Sequence, residues 1–275
     1  MACAQTDPIL GDVDANTEMT VEAIRAAAAR GADLVVLPEC ATGGWAFADR
    51  GESAAAAQPV EGGKSIRAWQ QVARELGIWV CGGFGEAAGS GTLYNSSVLL
   101  SPTGVELLYR KVHLWNTEKL AFDPGNLGYP VVDTPFGRIG MLICYDAWIP
   151  ESFRSLAVQG ADLALAPSDW VPNPHQPAHL PPLAHLMVTA GAHSNQMFVA
   201  AASRYGFERG QEFIGQSVIA DHTGWPIVRA GGGREMILAD IDPIGSRELR
   251  RNDPFNRPLG DRRVEQYELG PVRRP

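Results

Sequence analysis

The apolar residues of the chain fall into short runs, which alternate with helical patterns and with segments rich in glycine and proline. Runs of Val, Leu, Ile and Ala bounded by turn residues predict strands, and apolar residues three and four positions apart predict helices. The predicted strands are 1–6, 31–40, 78–84, 93–100, 105–112, 139–143, 160–169, 198–203, 215–221, 226–228 and 236–241. The predicted helices are 16–30 (capped by Asn16), 65–76, 151–159 and 182–195; 41–63, 113–130 and 170–182 read as loops, and the tail from 242 has no strong pattern.

Strands that alternate with helices early in the chain and form hairpins later are typical of an α/β fold with a mixed sheet or two sheets. No low-complexity linker interrupts the pattern, so residues 1–275 are predicted to form one domain. Segment 160–169 echoes segment 31–40 almost residue for residue. The echo has two interpretations: two similar halves related by a pseudo-twofold, or a sequence that suits any helix-to-strand junction.

The composition and charge of the chain limit which binding partners and which cellular compartment are expected. The formal net charge of -8 makes nucleic acid an unfavourable partner. No apolar run approaches the ~18 residues of a membrane helix, and the N-terminus lacks the pattern of a signal peptide. The cysteines Cys3, Cys40, Cys81 and Cys144 form no CxxC pair. We therefore expect reduced thiols in a cytoplasmic protein that binds no membrane.

Cys144 stands out because the pattern changes around it. The apolar run 139–143 ends at Cys144, and Pro150 with Glu151 suits the first turn of a helix. A strand-to-helix elbow exposes one side chain near backbone N–H groups that can hold an oxyanion. Cys144 is thus a candidate nucleophile; the alternative is a structural cysteine at a strand end.

Two further residues have the chemistry that a thiol nucleophile needs. Glu39 ends a buried strand, where a raised carboxyl pKa suits a general base. Lys111 ends a hairpin arm and can supply positive charge to an oxyanion or a thiolate. The alternatives are a solvated strand-end acid and an ordinary surface lysine.

The sequence gives no reason to expect a cofactor or a metal. Residues 82–85 are rich in glycine but lack the spacing of a dinucleotide-binding loop. His175 and His179 lie four apart, but Pro174 and Pro177 break any helix that would bring them together.

Taken together, the motifs resemble those of the nitrilase superfamily of carbon–nitrogen hydrolases, in its amidase-like branch. Leu37-Pro38-Glu39 resembles the glutamate motif, and Tyr109-Arg110-Lys111-Val112-His113-Leu114 the lysine motif. Ile143-Cys144-Tyr145-Asp146 followed by Pro150-Glu151 resembles the cysteine motif, and Gly215-Gln216-Ser217 with Asp221 and Gly224 a later block. The motifs occur in the family's order along the whole chain.

The resemblance implies a four-layer αββα sandwich whose subunits pair through a helix layer into a homodimer or larger assembly. It implies a triad of Glu39 as base, Cys144 as nucleophile forming a thioester, and Lys111 holding charge with the backbone N–H of Tyr145. It also implies that Glu118 positions substrate and water; the alternative is a solvated loop charge. No metal or cofactor is implied.

The substrate is less defined. The stretch 147–149 lacks the paired arginines that members acting on N-carbamoyl-D-amino acids often carry, and Ser194 stands where many members have glutamate. Four tryptophans suggest an apolar, aromatic-walled site for a small or hydrophobic carboxamide, unless several are core or dimer residues: Trp45, Trp115, Trp148 and Trp170. The alternatives are an N-carbamoyl amine hydrolase, a nitrilase, a cysteine hydrolase with a histidine base, or a catalytically silent binding protein.

Overall fold

The computed structural model describes residues 1–177, 179–251 and 255–270. Its strands are β1 Ala2–Ala4, β2 Leu34–Val36, β3 Trp79–Ala88, β4 Thr92–Leu100, β5 Val105–Arg110, β6 Val131–Thr134, β7 Gly137–Met141, β8 Leu163–Ser168, β9 Phe198–Ser203, β10 Tyr205–Glu208, β11 Gln211–Ile214, β12 Val218–Ala220, β13 Pro226–Arg229 and β14 Met236–Leu238. Its α-helices are α1 Val13–Ala29, α2 Arg50–Ala56, α3 Lys64–Leu76, α4 Glu118–Ala121, α5 Pro150–Val158, α6 Leu183–Asn195 and α7 Ser246–Arg251, with 3-10 turns at Cys144–Trp148 and Val264–Gln266. Ala178, in a predicted loop, and tail residues 252–254 and 271–275 lie outside the described residues.

Twelve of the described strands form two six-stranded sheets, and β10 and β11 form a separate hairpin. The first sheet has the order β14-β1-β2-β3-β4-β5 and the second β13-β12-β9-β8-β7-β6. In each sheet two parallel pairings at the centre are flanked by antiparallel ones. The echoing segments supply β2 and β8, which hold the same central place in the two sheets. The topology therefore favours the interpretation of two similar halves.

The two sheets pack face to face. Val36 and Cys81 of the first sheet share one buried cluster with Met141, Leu165 and Ala200 of the second. These side chains alternate with residues of the opposite faces, as the period of a strand requires. Burial of this apolar layer between the sheets is the main force that holds the two halves together.

Helices cover the two outer faces. Ile24 of α1 and Trp69 of α3 pack on the first sheet, and the Trp69 indole donates to Thr20 Oγ1 at 2.9 Å. Phe153 of α5 and Val188 of α6 pack on the second sheet. The predicted four-layer αββα sandwich is therefore confirmed. No helix in the described part of the chain is long and apolar enough to cross a membrane.

Several local predictions were wrong. Asp12, not Asn16, caps α1, because the buried Asn16 side chain is occupied by the backbone of Ile9, at 2.7 Å for both of its hydrogen bonds. The predicted loop 41–63 contains α2, which Asp49 caps through the N–H groups of Gly51 and Glu52. The predicted loop 113–130 contains the single turn α4, and the β10–β11 hairpin was missed.

Candidate active site

Four strand ends bring polar side chains to one edge of the sandwich. Glu39 follows β2, Lys111 follows β5, Cys144 follows β7 and Asp169 follows β8. Because β2 and β5 run the same way in the first sheet, and β7 and β8 are parallel in the second, the carboxyl ends within each pair lie on one side. Residues Glu39 and Cys144 thus come from different sheets and meet at the junction.

Glycine in β3 lets the chain pass close to Glu39. A Cβ at Gly83 would lie 2.6 Å from the Cα of Glu39 and 2.6 Å from the carbonyl oxygen of Pro38. Any side chain there would displace the backbone that carries the carboxylate. The glycine-rich segment 82–85 therefore has a packing role beside the site.

Lys111 is held between two carboxylates. Its Nζ donates to Glu39 Oε1 and to Glu118 Oε2, each at 2.6 Å. All three side chains are buried, with 1% or less of each exposed. Glu118 Oε2 also accepts the backbone N–H of Trp115 at 2.7 Å. The alternative readings of Glu39 and Glu118 as solvated acids, and of Lys111 as a surface lysine, are therefore wrong.

Asn95 completes this cluster and was not singled out from the sequence. Its Nδ2 donates to Glu39 Oε1 and to Glu118 Oε1, each at 2.6 Å. The signal was available, because Asn95 lies within a polar stretch of the otherwise apolar strand β4. Asn95 and Lys111 both bind Oε1 of Glu39, so Glu39 Oε2 has no hydrogen-bond partner among the described residues, and neither has Asn95 Oδ1.

The chain turns sharply at the candidate nucleophile. Cys144 has φ +45° and begins a 3-10 turn that leads to Pro150 at the start of α5. A residue other than glycine rarely adopts this left-handed conformation, so the elbow stores backbone strain. None of the hydrogen bonds found in the described part of the chain uses the N–H of Tyr145, the next residue. That N–H can therefore donate to a bound ligand.

Asp146 braces the elbow and is a second residue to which the sequence assigned no role. It is completely buried, and its Oδ2 accepts the Tyr109 hydroxyl at 2.7 Å and the Ile143 N–H at 3.0 Å. Its Oδ1 accepts the His113 N–H at 3.0 Å. One carboxylate therefore ties the elbow to the strand that precedes Lys111.

The charges of this cluster shift the pKa values of its members. Burial, opposed by Lys111 and assisted by Glu118, raises the pKa of Glu39 to about 7. Burial alone would lower the pKa of Lys111, but Glu118 and Glu39 outweigh it and raise that pKa well above its ordinary value. Near neutral pH, Lys111 is thus a fixed cation, and Glu39 exchanges its proton readily.

The surroundings of Cys144 favour its neutral thiol form. Burial and the charge of Glu39 raise the pKa of Cys144 well above its ordinary value, although Lys111 and a hydrogen bond from the Asp169 backbone N–H act to lower it. No hydrogen bond between Cys144 and Glu39 is found in the described residues. The arrangement suits removal of the thiol proton by a base during the reaction better than a preformed thiolate.

A cavity of about 220 Å³ opens onto Cys144. Trp115, Trp148 and Trp170 line it, as predicted, together with Tyr145 and Asp169. Trp45, the fourth predicted tryptophan, is not among the residues that line this cavity.

Trp45 lies behind Trp115, with the two ring centroids 5.5 Å apart, and packs edge-on against Phe213 at 6.1 Å. Its backbone N–H donates to the buried carboxylate of Glu208 at 2.8 Å. The loop that carries Trp45 is thereby fixed in the core, where Trp45 supports Trp115.

The prediction that the site needs no metal concerns how His, Cys, Asp and Glu side chains are grouped. Within residues 1–177, 179–251 and 255–270, no group of three or more His, Cys, Asp or Glu side chains is arranged to hold a metal ion.

His113 is part of the elbow brace, through its Nδ1 at 2.8 Å from Asp146 Oδ1, and makes no contact with the thiol among the hydrogen bonds described.

Comparisons with known proteins find a matching family model, relatives and a solved structure of similar fold. The family model "Carbon-nitrogen hydrolase" matches residues 1–251. The chain is 37% identical to a nitrilase of Pyrococcus abyssi, over 97% of this chain and 98% of that protein. It is 33% identical to an (R)-stereoselective amidase of Pseudomonas sp., over 92% of this chain and 88% of the relative. The crystal structure of an amidase from Nesterenkonia sp. matches with a TM-score of 0.79 and 25% identity, over 96% of this chain and 93% of that one.

Proposed function

The chain belongs to the carbon–nitrogen hydrolase family, and on that premise we propose that it is an amidase that hydrolyses a small or hydrophobic carboxamide through a thioester on Cys144. The observation that carries the proposal is the buried cluster in which Lys111 bridges Glu39 and Glu118 beside the thiol of Cys144, which opens onto a cavity. A binding protein would have no need to bury three ionisable groups together, since such a cluster is costly unless it has a use.

In the first half-reaction, Glu39 takes the thiol proton and the sulfur attacks the amide carbon. The unpartnered Oε2 of Glu39 is the atom assigned to accept that proton. Negative charge develops on the amide oxygen, where Lys111 and the free N–H of Tyr145 stabilise it. Glu39 then passes the proton to the amide nitrogen, the C–N bond breaks, and ammonia leaves an acyl thioester on Cys144.

In the second half-reaction, water attacks the thioester and regenerates the thiol. Glu118 is assigned to position substrate and this water, because its carboxylate lies beside Lys111 and is held by the Trp115 N–H. Glu39 takes a proton from the water and returns it to the departing sulfur. The products are a carboxylic acid and free enzyme, and no cofactor is required.

Nitrile hydrolysis is a second candidate, because the relative from Pyrococcus abyssi is a nitrilase. The same three groups would form a thioimidate instead of a tetrahedral amide adduct. An N-carbamoyl substrate would use them in the same way.

The proposal is tested by ammonia release from matched carboxamides, N-carbamoyl amines and nitriles. We expect the carboxamides to have the highest kcat/KM. Preference for nitriles or N-carbamoyl amines would replace the substrate class, and ammonia release from none of them would favour a silent binding protein. The Cys144→Ala variant is the control for every positive result.

Self-association is also proposed. The outer helix layer of the second sheet leaves apolar side chains in solvent: Val158 of α5 is 54% exposed and Leu186 of α6 is 48% exposed. Pairing of this layer with a second copy would cover both residues, and a twofold dimer is the commonest closed form.

A further inference from the structure

The cavity beside Cys144 has an unusual balance of charge. Asp169 is its only carboxylate, and none of the described lining residues is Lys, Arg or His. Lys111 lies behind the thiol but is already bound to Glu39 and Glu118. Around the nucleophile there are thus three carboxyl groups and one ammonium.

Asp169 itself is buried without a partner. Only 5% of the residue is exposed, and neither carboxylate oxygen has a hydrogen-bond partner among the described residues. Arg204 acts on it electrostatically from outside the cavity lining; its terminal nitrogens donate to Glu208 at 2.7 Å and to Asp7 at 2.9 Å, and its Nε has no hydrogen-bond partner among the described residues. A buried carboxyl left unsatisfied in this way is costly, so it calls for an occupant that would donate to it.

Aromatic rings complete the surroundings. Trp115, Trp148 and Trp170 line the same cavity, and the Tyr145 ring is tilted against Trp148 at a centroid distance of 6.2 Å. The faces of such rings attract cations, and a carboxylate among aromatic rings is a common way to bind an ammonium group. Burial and the charge of Glu39 raise the pKa of Asp169 well above its ordinary value, and a bound cation would oppose both effects.

We propose that the substrate carries an amino group, as its ammonium ion, and that Asp169 with the tryptophan wall selects for it and against a carboxylate. This inference rests on the proposed amidase function and names its substrate class: an amino-carboxamide. A carboxylate at the same place would find no Lys, Arg or His among the described residues that line the cavity, and the ionised form of Asp169 would repel it. A neutral chain would gain the apolar contacts but would leave Asp169 unsatisfied.

The test compares primary amides that differ only at the far end of one alkyl chain. They are 5-aminopentanamide, hexanamide and adipamic acid, which end in an ammonium, a methyl and a carboxylate group. We expect kcat/KM to be at least about tenfold higher for the first than for the second, from one charged hydrogen bond, and lowest for the third. A neutral or anionic amide that matched or exceeded the cationic one would overturn the proposal, and this order is decisive without any variant.

The Asp169→Asn variant then assigns the selection to one residue. It keeps the shape of the side chain and removes its charge, so the advantage of 5-aminopentanamide over hexanamide should fall to near one, mainly through KM. An equal loss for all three amides would mean that Asp169 positions the scissile amide instead, and the proposal would be wrong.

Competition with iodoacetamide for Cys144 separates the two proposals. If none of the amides releases ammonia, the amidase assignment fails, but each amide can still protect the thiol from alkylation. Protection at the lowest concentration by 5-aminopentanamide would support the selection for a cation. Equal protection by all three amides would refute it.

Discussion

Replacing Glu39 by glutamine separates two roles that the cluster allows for this carboxylate. The substitution keeps the shape and the hydrogen bonds from Lys111 and Asn95 possible, but it removes both the base and a negative charge. As a base, Glu39 must be ionised to act. As a charge, it raises the pKa of the Cys144 thiol. Loss of the base should lower turnover, whereas loss of the charge should lower the pKa of the thiol and favour alkylation of Cys144.

The pKa of Glu39 sets the size and the sign of the effect. With a pKa of about 7, Glu39 is about half ionised at pH 7 and about one tenth ionised at pH 6. The base is active in its ionised form, so kcat/KM of the wild type should rise about tenfold per pH unit below pH 6 and level off above pH 7. In Glu39→Gln this acid limb should disappear, and turnover at pH 8 should fall by at least ~10²-fold.

Alkylation of Cys144 by iodoacetamide should respond in the opposite direction. Without the charge of Glu39, the thiol pKa falls and Lys111 can support a thiolate, so alkylation at pH 7 should persist or become faster. Slow turnover with an intact, reactive thiol would be the signature of a missing proton acceptor.

Two results would contradict the reasoning. Unchanged turnover in Glu39→Gln would make Glu39 a bystander, and a parallel loss of turnover and alkylation would make it a support for the thiol instead of a base. Glu86→Gln is the matched control, because Glu86 is a buried glutamate of the same sheet whose carboxylate binds Ser96 and Arg110. That variant should keep the acid limb.

Other variants test the remaining parts of the cluster. Cys144→Ala should lose at least ~10⁴-fold in turnover, whereas Cys81→Ala, deep between the sheets, should retain it; residual activity of Cys144→Ala within tenfold of the wild type would rule out the nucleophile. Lys111→Met leaves Glu39 and Glu118 buried without a cation, so it should abolish turnover and lower the free energy of unfolding by about 3–5 kcal/mol at pH 8, as measured by urea denaturation. Burial already holds the pKa of Glu39 above its unfolded value, and loss of the Lys111 cation raises it further, so this loss should shrink as the pH falls toward 5 and Glu39 protonates; a loss independent of pH would refute the explanation. Sedimentation at micromolar concentration should show a dimer or larger species, and a monomer would count against pairing through α5 and α6.

The sequence predicted the parts of the fold that depend on local pattern. The apolar runs located the central strands, and Gly77, with φ +68°, ends α3 as expected. The motifs around Glu39, Lys111 and Cys144 marked chain positions that the structure brings together. Local pattern failed where a side chain forms hydrogen bonds outside its own helix. Asn16, for example, binds the backbone of the segment before α1 and does not cap α1.

The same limit explains the residues that were missed at the site. Asn95 and Asp146 act through hydrogen bonds to groups far away in sequence, and the Asp169 carboxylate has no hydrogen-bond partner among the described residues. Aromatic character alone could not separate Trp45, which supports the wall, from Trp115, which forms it. Only the packing of the two sheets decides which polar groups are satisfied.

Because the site lies at the junction of the two sheets, recovery of the proposed activity during refolding should report when the sheets have docked. The first sheet supplies Glu39 and Lys111, and the second supplies Cys144, so an intermediate that has formed either sheet alone cannot turn over. During refolding, activity should therefore return with the docking of the two inner apolar faces and lag behind the recovery of strand and helix signals in circular dichroism. Turnover would therefore measure the fraction of molecules in which the two sheets have docked.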